Sequence, residues 1–239
     1  MTVMLPGELD ALLDFVCEKY ASSGQPADVV DALNKHNYRV LSHVDEIVEG
    51  ERLGAEDAET LRTIAILHDA AKADTHLLEH AEAGATIAET KLQELGKPEA
   101  FIGSVLRGIR CHMGPFPFIE EEAKKYAERT GEHLHFPRPE SSIEQLFYDA
   151  DMLALMDVAG IEKVVVLRST TPQFIAEDEQ EAASQGGTPK AAAYRSAFRS
   201  VERAAATLHC ATARKIAKRL MDEAQDFISS RLAAESPPH

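Results

Sequence analysis

Residues 66–72 read Ile66-Leu67-His68-Asp69-Ala70-Ala71-Lys72, and the adjacent His68-Asp69 pair within that apolar run decides how the rest of the chain is read. Leu61, Ile64 and Ala65 lead into His68 at helical spacing, which places the imidazole on the core side. Asp69 sits about 100° further round the helix, so both side chains can reach one point between them. Two titratable groups in an apolar turn are hard to explain as structure alone.

The same pattern recurs on either side. His36 shares a stripe with Leu33, Val40 and Val44, and His80 shares one with Gly84, Ile87 and Ala88. His112 continues Val105 and Ile109, while Asp151 continues Phe147 towards Leu155 and Val158. Five helices thus each aim a polar group at the core. Burying such groups without partners costs about 1–3 kcal/mol apiece, a cost that a metal ion offsets by making each one a ligand. Imidazole and carboxylate without cysteine suit Mn, Fe, Co, Ni or Zn rather than a thiolate site. Any one of these residues alone is more often a hydrogen-bonded core group than a ligand. Their joint order carries the argument.

Helical periodicity fills nearly the whole chain. A first helix opens at Pro6-Gly7-Glu8 with the stripe Leu9, Leu12, Leu13, Val16, Tyr20. A second follows Pro26 to about Glu49, a third runs from Ala55 to Ala71, and a fourth from Leu77 to Leu95. Glu99 to Cys111 continues helical until Gly114-Pro115-Phe116-Pro117. Residues 119–130 read as a charged, solvated helix and 131–139 as a loop. Ser141-Ser142-Ile143-Glu144 is a capping-box pattern that starts the helix carrying Asp151. Acidic, Gly and Gln residues between 170 and 189 predict a mobile loop. An alanine-rich segment from Ala191 to about Leu232 closes the chain as one or two helices. Only Val164-Val165-Val166 hints at a strand. With no repeat and no linker, the expectation is a single all-α domain over residues 1–239.

Composition narrows the function. The 239 residues are 44% hydrophobic and 27% charged, a globular balance. A formal net charge of −15 repels nucleic acid and anionic membranes, so non-specific binding to either is not expected. An anionic small molecule needs a cation at its site. Cys17, Cys111 and Cys210 lie far apart, which suggests a reducing compartment with no disulfide framework. Neither a signal peptide nor a membrane-length apolar run is visible, so the expected location is cytoplasmic. The alanine-rich C-terminal segment suits helix packing within the chain or in a homodimer.

The order His36…His68-Asp69…Asp151 resembles the HD superfamily of metal-dependent phosphohydrolases. His36-Asn37-Tyr38-Arg39-Val40 is similar to that family's first motif, and residues 66–72 to its defining His-Asp motif with a trailing lysine. Asp149-Ala150-Asp151-Met152-Leu153, followed by Gly160-Ile161-Glu162-Lys163, resembles a segment of small bacterial HD-domain hydrolases. Residues 212–219 look like their closing helix. The likeness spans about 30–230, interrupted by a charged insertion at 116–140, and four motifs in order are a specific signal. It implies an HD-domain helical bundle with the metal site in the core and a long C-terminal helical segment.

The resemblance also implies roles. His36, His68, Asp69 and Asp151 would hold a first divalent ion. His80 and His112 match two further histidines of dinuclear members, where Asp69 would bridge the ions, so one or two metals per chain are expected. A bound divalent ion lowers the pKa of its water, to about 7 in the best zinc case, and would so supply hydroxide to attack phosphorus in a phosphate mono- or diester of a small nucleotide-like substrate. Lys72 is placed to meet the substrate phosphate, or is a solvated lysine at a helix C-terminus. Arg39 and Arg110 are the next phosphate contacts. With one ion, His80 or His112 is free to act as general acid. His43 rivals His36 without its Arg-Val context, and His76 could approach the site. His133, His135, His209 and His239 fit loops or surface. Two other readings stand beside hydrolysis: an HD-fold di-iron oxygenase, which the six-donor set keeps open, and a non-catalytic nucleotide-sensing module. The insertion, with Phe116, Phe118, Tyr126, His133, His135 and Phe136, either covers the site, forms a surface flap, or makes a dimer contact.

Overall fold

A computed structural model describes residues 7–75, 78–114, 117–134, 136–170 and 172–234. Eleven helices and no strand form among the described residues. Contacts group the chain into two compact units, residues 1–151 and 152–239, whose boundary falls inside a helix. No helix among the described residues is long and apolar enough to cross a membrane.

The first unit holds α1 (Glu8–Ser22), α2 (Ala27–Glu51), α3 (Ala55–Leu67), α4 (His80–Glu94), α5 (Glu99–Cys111), α6 (Pro117–Thr130) and most of α7 (Ser142–Leu153). α3 packs against α1, α2, α4 and α5, so almost every residue from Ala58 to Leu67 is buried. A helix surrounded in this way needs apolar residues all round rather than one stripe. α2 ends where Arg52 takes a left-handed conformation (φ 56°), the position a helix C-terminus usually gives to glycine. α7 starts on the capping box read from sequence: Glu144 N–H donates to Ser141 Oγ (3.3 Å) and Ser141 N–H to Glu144 Oε2 (3.2 Å).

The insertion is anchored rather than free. Ile119 of α6 joins Leu78, Ala81 and Met113 in a small apolar cluster, with Tyr126, Leu134 and Phe136 packed against it. Gly114 lets the chain pass close to this segment, because a Cβ there would lie 2.9 Å from Pro137 O.

The second unit holds α8 (Val158–Thr170), α9 (Pro172–Gln185), α10 (Pro189–Ala205) and α11 (Ala211–Ala234). α10 packs on α8, α9 and α11. Its buried Ala191, Ala192, Ala193, Ala197 and Ala204 let those neighbours approach closely, so this alanine face is used within the chain. Thr188 Oγ1 caps it by accepting from Ala191 N–H (3.1 Å).

Two local expectations are corrected. Residues 172–185 form α9 rather than a mobile loop. Their Glu, Gln and Ala residues are good helix formers, and ion pairs fix the helix: Asp178 to Arg168 (2.7 Å), and Glu181 to Arg195 (2.9 Å) and Arg199 (2.5 Å). Gly186 and Gly187, both with positive φ, make the actual break. Val164–Val166 lies inside α8, where helical context overrides the weak β preference of branched side chains.

Candidate metal centre

The donors come mostly from places where helices begin or stop. His36 is mid-helix on α2 and Asp151 lies near the end of α7. α3 stops at Leu67, one turn earlier than the periodicity predicts, so His68 is its C-cap and Asp69 lies in the turns that follow. α4 likewise starts at His80, later than expected, and His112 is the C-cap of α5. Two glycines permit the approach of these helices. A Cβ on Gly84 would lie 3.1 Å from His68 O, and one on Gly108 would lie 2.5 Å from Ile64 Cδ1.

All six side chains are buried, with residue exposures from 0% for His68 and Asp69 to 7% for Asp151. Asp69 lies between two sets of donors. Its Oδ2 is 3.5 Å from His36 Nε2 and 3.4 Å from His68 Nε2. Asp151 Oδ1 closes that side, 3.3 Å from His36 Nε2 and 3.8 Å from His68 Nε2. Asp69 Oδ1 instead faces His80 Nε2 (3.1 Å) and His112 Nε2 (3.9 Å), which are 3.1 Å from each other. His36, His68 and Asp69 form one group able to hold a metal ion, and Asp69, His80 and His112 form a second.

Local hydrogen bonds orient the rings. His68 Nδ1 donates to Ala65 O (2.8 Å) and His112 Nδ1 to Ile109 O (2.5 Å). A carbonyl only accepts, so each Nδ1 carries a proton and each Nε2 points inward, the nitrogen that gives a metal its lone pair when it holds no proton itself. The Phe147 ring packs edge-on against both, with centroids 5.4 Å from His68 and 6.3 Å from His112.

Charge follows the same division. Burial, reinforced by His80 and His68, pushes His112 down to about 3, so it is neutral at physiological pH. Burial also depresses His68, but Asp69 and Asp151 outweigh it and raise its pKa. For Asp69, burial favours the neutral acid. His68, Lys72 and His80 overcome that and hold its carboxyl well below the usual range. Asp151 is lowered against its own burial by His36 and His68. Ionised carboxylates beside a neutral imidazole are the protonation states that bind a divalent cation. Asp69 Oδ1 accepts no hydrogen bond of acceptable geometry although fully buried; His80 is near it by distance alone. A buried carboxylate oxygen left so is a costly arrangement that a cation resolves. The residues therefore fit a metal.

Lys72 Nζ lies 2.6 Å from Asp69 Oδ2 and keeps 23% of its side chain exposed. Arg110 is engaged elsewhere, in a two-pronged pair with Glu82 (2.8 and 2.9 Å). Arg39 is half-buried on α2. His43 is buried with Nδ1 3.1 Å from Glu46 and belongs to neither donor group. His133 is exposed and His209 half-buried, in keeping with loop positions. His76, Phe116, His135 and His239 lie outside the described residues. Sequence reading assigned Tyr20 only to the core stripe of α1 and gave Asn37 no separate role, yet both reach the backbone of the His-Asp segment.

A model of the HD domain matches residues 34–156, just over half of the chain and a span that contains all six donors. The chain belongs to the HD-domain family. A solved structure of a predicted HD superfamily hydrolase from an uncultured Thermotogales bacterium has a similar fold, with a TM-score of 0.58 and 22% identity over 95% of this chain and 93% of that one. No curated protein matches the chain. The all-helical architecture is thus that of an HD-domain protein, and its buried His/Asp groups could hold a divalent metal.

Proposed function

We propose that this HD-domain protein is a metal-dependent phosphohydrolase that cleaves a phosphate mono- or diester of a small nucleotide-like substrate. The observation that carries the reading is the placement of Asp69, one carboxylate oxygen towards each of two buried donor groups. His36, His68, Asp69 and Asp151 would hold one ion, and Asp69, His80 and His112 a second. When bound, a divalent ion supplies Lewis acidity and a water acidified towards neutral pH.

The chain's own groups do the rest. Burial of the donors keeps their imidazoles and carboxylates in fixed orientation. The partly exposed ammonium of Lys72 meets a substrate phosphate in a protein whose formal net charge is −15, where anions otherwise find little attraction. Of the two histidines expected as general acid in a site holding one ion, His80 is the one left to deliver a proton to the leaving oxygen, since His112 is neutral and keeps its proton on Nδ1 towards Ile109 O. The same net charge argues against nucleic acid polymers and anionic membranes as partners, and three cysteines outside any disulfide agree with a reducing, cytoplasmic setting.

Asp69→Ala is expected to abolish both metal uptake and phosphate release from a panel of nucleotides assayed with Mn²⁺; full activity in that variant would overturn the proposal. The six-donor set also favours a second reading, a di-iron oxygenase. Iron in the purified protein together with O₂ consumption would select it, and phosphate release without O₂ would reject it.

A further inference from the structure

After Leu67 the chain leaves α-helical geometry through successive tight turns. Ala70 N–H donates to Leu67 O (3.1 Å), Lys72 N–H to Asp69 O (2.8 Å) and Asp74 N–H to Ala71 O (3.0 Å). This shift in pattern takes Ala70 N–H away from Ile66 O. Two side chains from other helices bond to carbonyls of this segment. Asn37 Nδ2 donates to Ile66 O (3.3 Å), and the Tyr20 hydroxyl donates to Asp69 O (3.0 Å). Asn37 Nδ2 also lies 3.4 Å from the Tyr20 hydroxyl, which links the two. Both side chains are buried, Tyr20 completely. The far end of the turn is braced from the same direction, by Gln25 Nε2 donating to Ala73 O (2.8 Å) and by Lys19 pairing with Asp74 (2.7 Å).

Tyr20, Lys19 and Gln25 all precede residue 34, where the HD-domain match begins. From this geometry we infer that Tyr20, supported by Asn37, is a positioning residue that fixes the main chain at Asp69 so that its carboxylate faces both donor groups. The inference rests on the metal-centre reading above. A carboxylate that must serve two sides tolerates little rotation of its own backbone, and the hydroxyl bonds the Asp69 carbonyl rather than the carboxylate or any of the imidazoles. Partners of this kind typically tune metal affinity by about tenfold or more.

The test is Mn²⁺ titration calorimetry on the full chain freed of metal by chelator. Wild type is expected to bind, and Tyr20→Phe, which removes only the hydroxyl, to bind about tenfold more weakly with an unchanged far-UV spectrum. Asn37→Ala is expected to weaken binding in the same direction. Leu12→Val trims the buried core of α1 away from the turn, and it is expected to lower Tm while leaving Mn²⁺ affinity at the wild-type value. Equal affinity in Tyr20→Phe and wild type overturns the inference, as does an equal loss in Leu12→Val, which would mark Tyr20 as a core residue only. A wild-type chain that binds none of Mn²⁺, Fe²⁺, Co²⁺, Ni²⁺ and Zn²⁺, titrated in turn, overturns the metal-centre reading itself, and this inference with it.

Discussion

Asp69 and Lys72 lie three residues apart, and their 2.6 Å ion pair sets two demands on one carboxylate oxygen. Asp69 Oδ2 also faces His36 and His68, so an ion on that side competes with the lysine for it. If Lys72 serves the substrate rather than the fold, Lys72→Met should leave metal content intact and lower kcat/KM by about tenfold or more, the loss expected on removing a charge that stabilises phosphate. Kinetics equal to wild type would remove the lysine from the site. That these six polar side chains are buried was legible in the sequence because each lies on an apolar stripe, and that mismatch is visible residue by residue. Tyr20 and Asn37 were not legible as positioning groups. Their partners are the carbonyls of Asp69 and Ile66, and which carbonyls a chain break leaves to bond is a property of the folded backbone. Nor was it legible that His68 and Asp69 fall in turns after α3 rather than inside it, since no glycine or proline marks the break.

At the scale of helices, α4 owes its position to Gly84. Adding a methyl there puts a Cβ 3.1 Å from His68 O, a backbone atom that cannot swing away. Gly84→Ala is expected to cost about 1–3 kcal/mol in unfolding free energy. It should also weaken metal binding, because α4 carries His80 at its first residue. Urea denaturation and Mn²⁺ titration measure the two effects, and a stable variant with normal affinity would show that the contact is slack. α7 depends on its capping box. Burial pushes Glu144 up, but the N–H groups of Glu140 and Ser141, with Arg107, outweigh it and lower its pKa. A lowered folded-state pKa means that ionised Glu144 stabilises the protein above the unfolded value near 4.3, and that this contribution is lost as pH falls through the folded value. Glu144→Gln should therefore cost about 1 kcal/mol at pH 7, with the gap from wild type closing as pH drops below about 4. A gap independent of pH would show that the carboxylate charge is not what matters. This cap could be read from Ser141 and Glu144 because its partners are three residues apart. α9 could not, because Arg168, Arg195 and Arg199, which fix Asp178 and Glu181, lie on other helices.

For the molecule as a whole, the residues that build the centre are scattered from His36 to Asp151 and all fall within the first compact unit. Helical periodicity revealed the all-α class, and the order of motifs revealed the HD-domain architecture. The grouping of residues 152–239 into a unit of their own had no linker to announce it, since the boundary lies inside α7. The insertion, which the sequence left as cover, flap or dimer contact, packs on Leu78, Ala81 and Met113, immediate neighbours of His80 and His112. The central claim is that six buried side chains exist to hold divalent cations. Elemental analysis of untagged protein purified without chelator tests it most directly. Two ions per chain, falling to one when His80 and His112 are both replaced by alanine, is the result predicted. No bound metal, even after reconstitution with Mn, Fe, Co, Ni and Zn in turn, would contradict it.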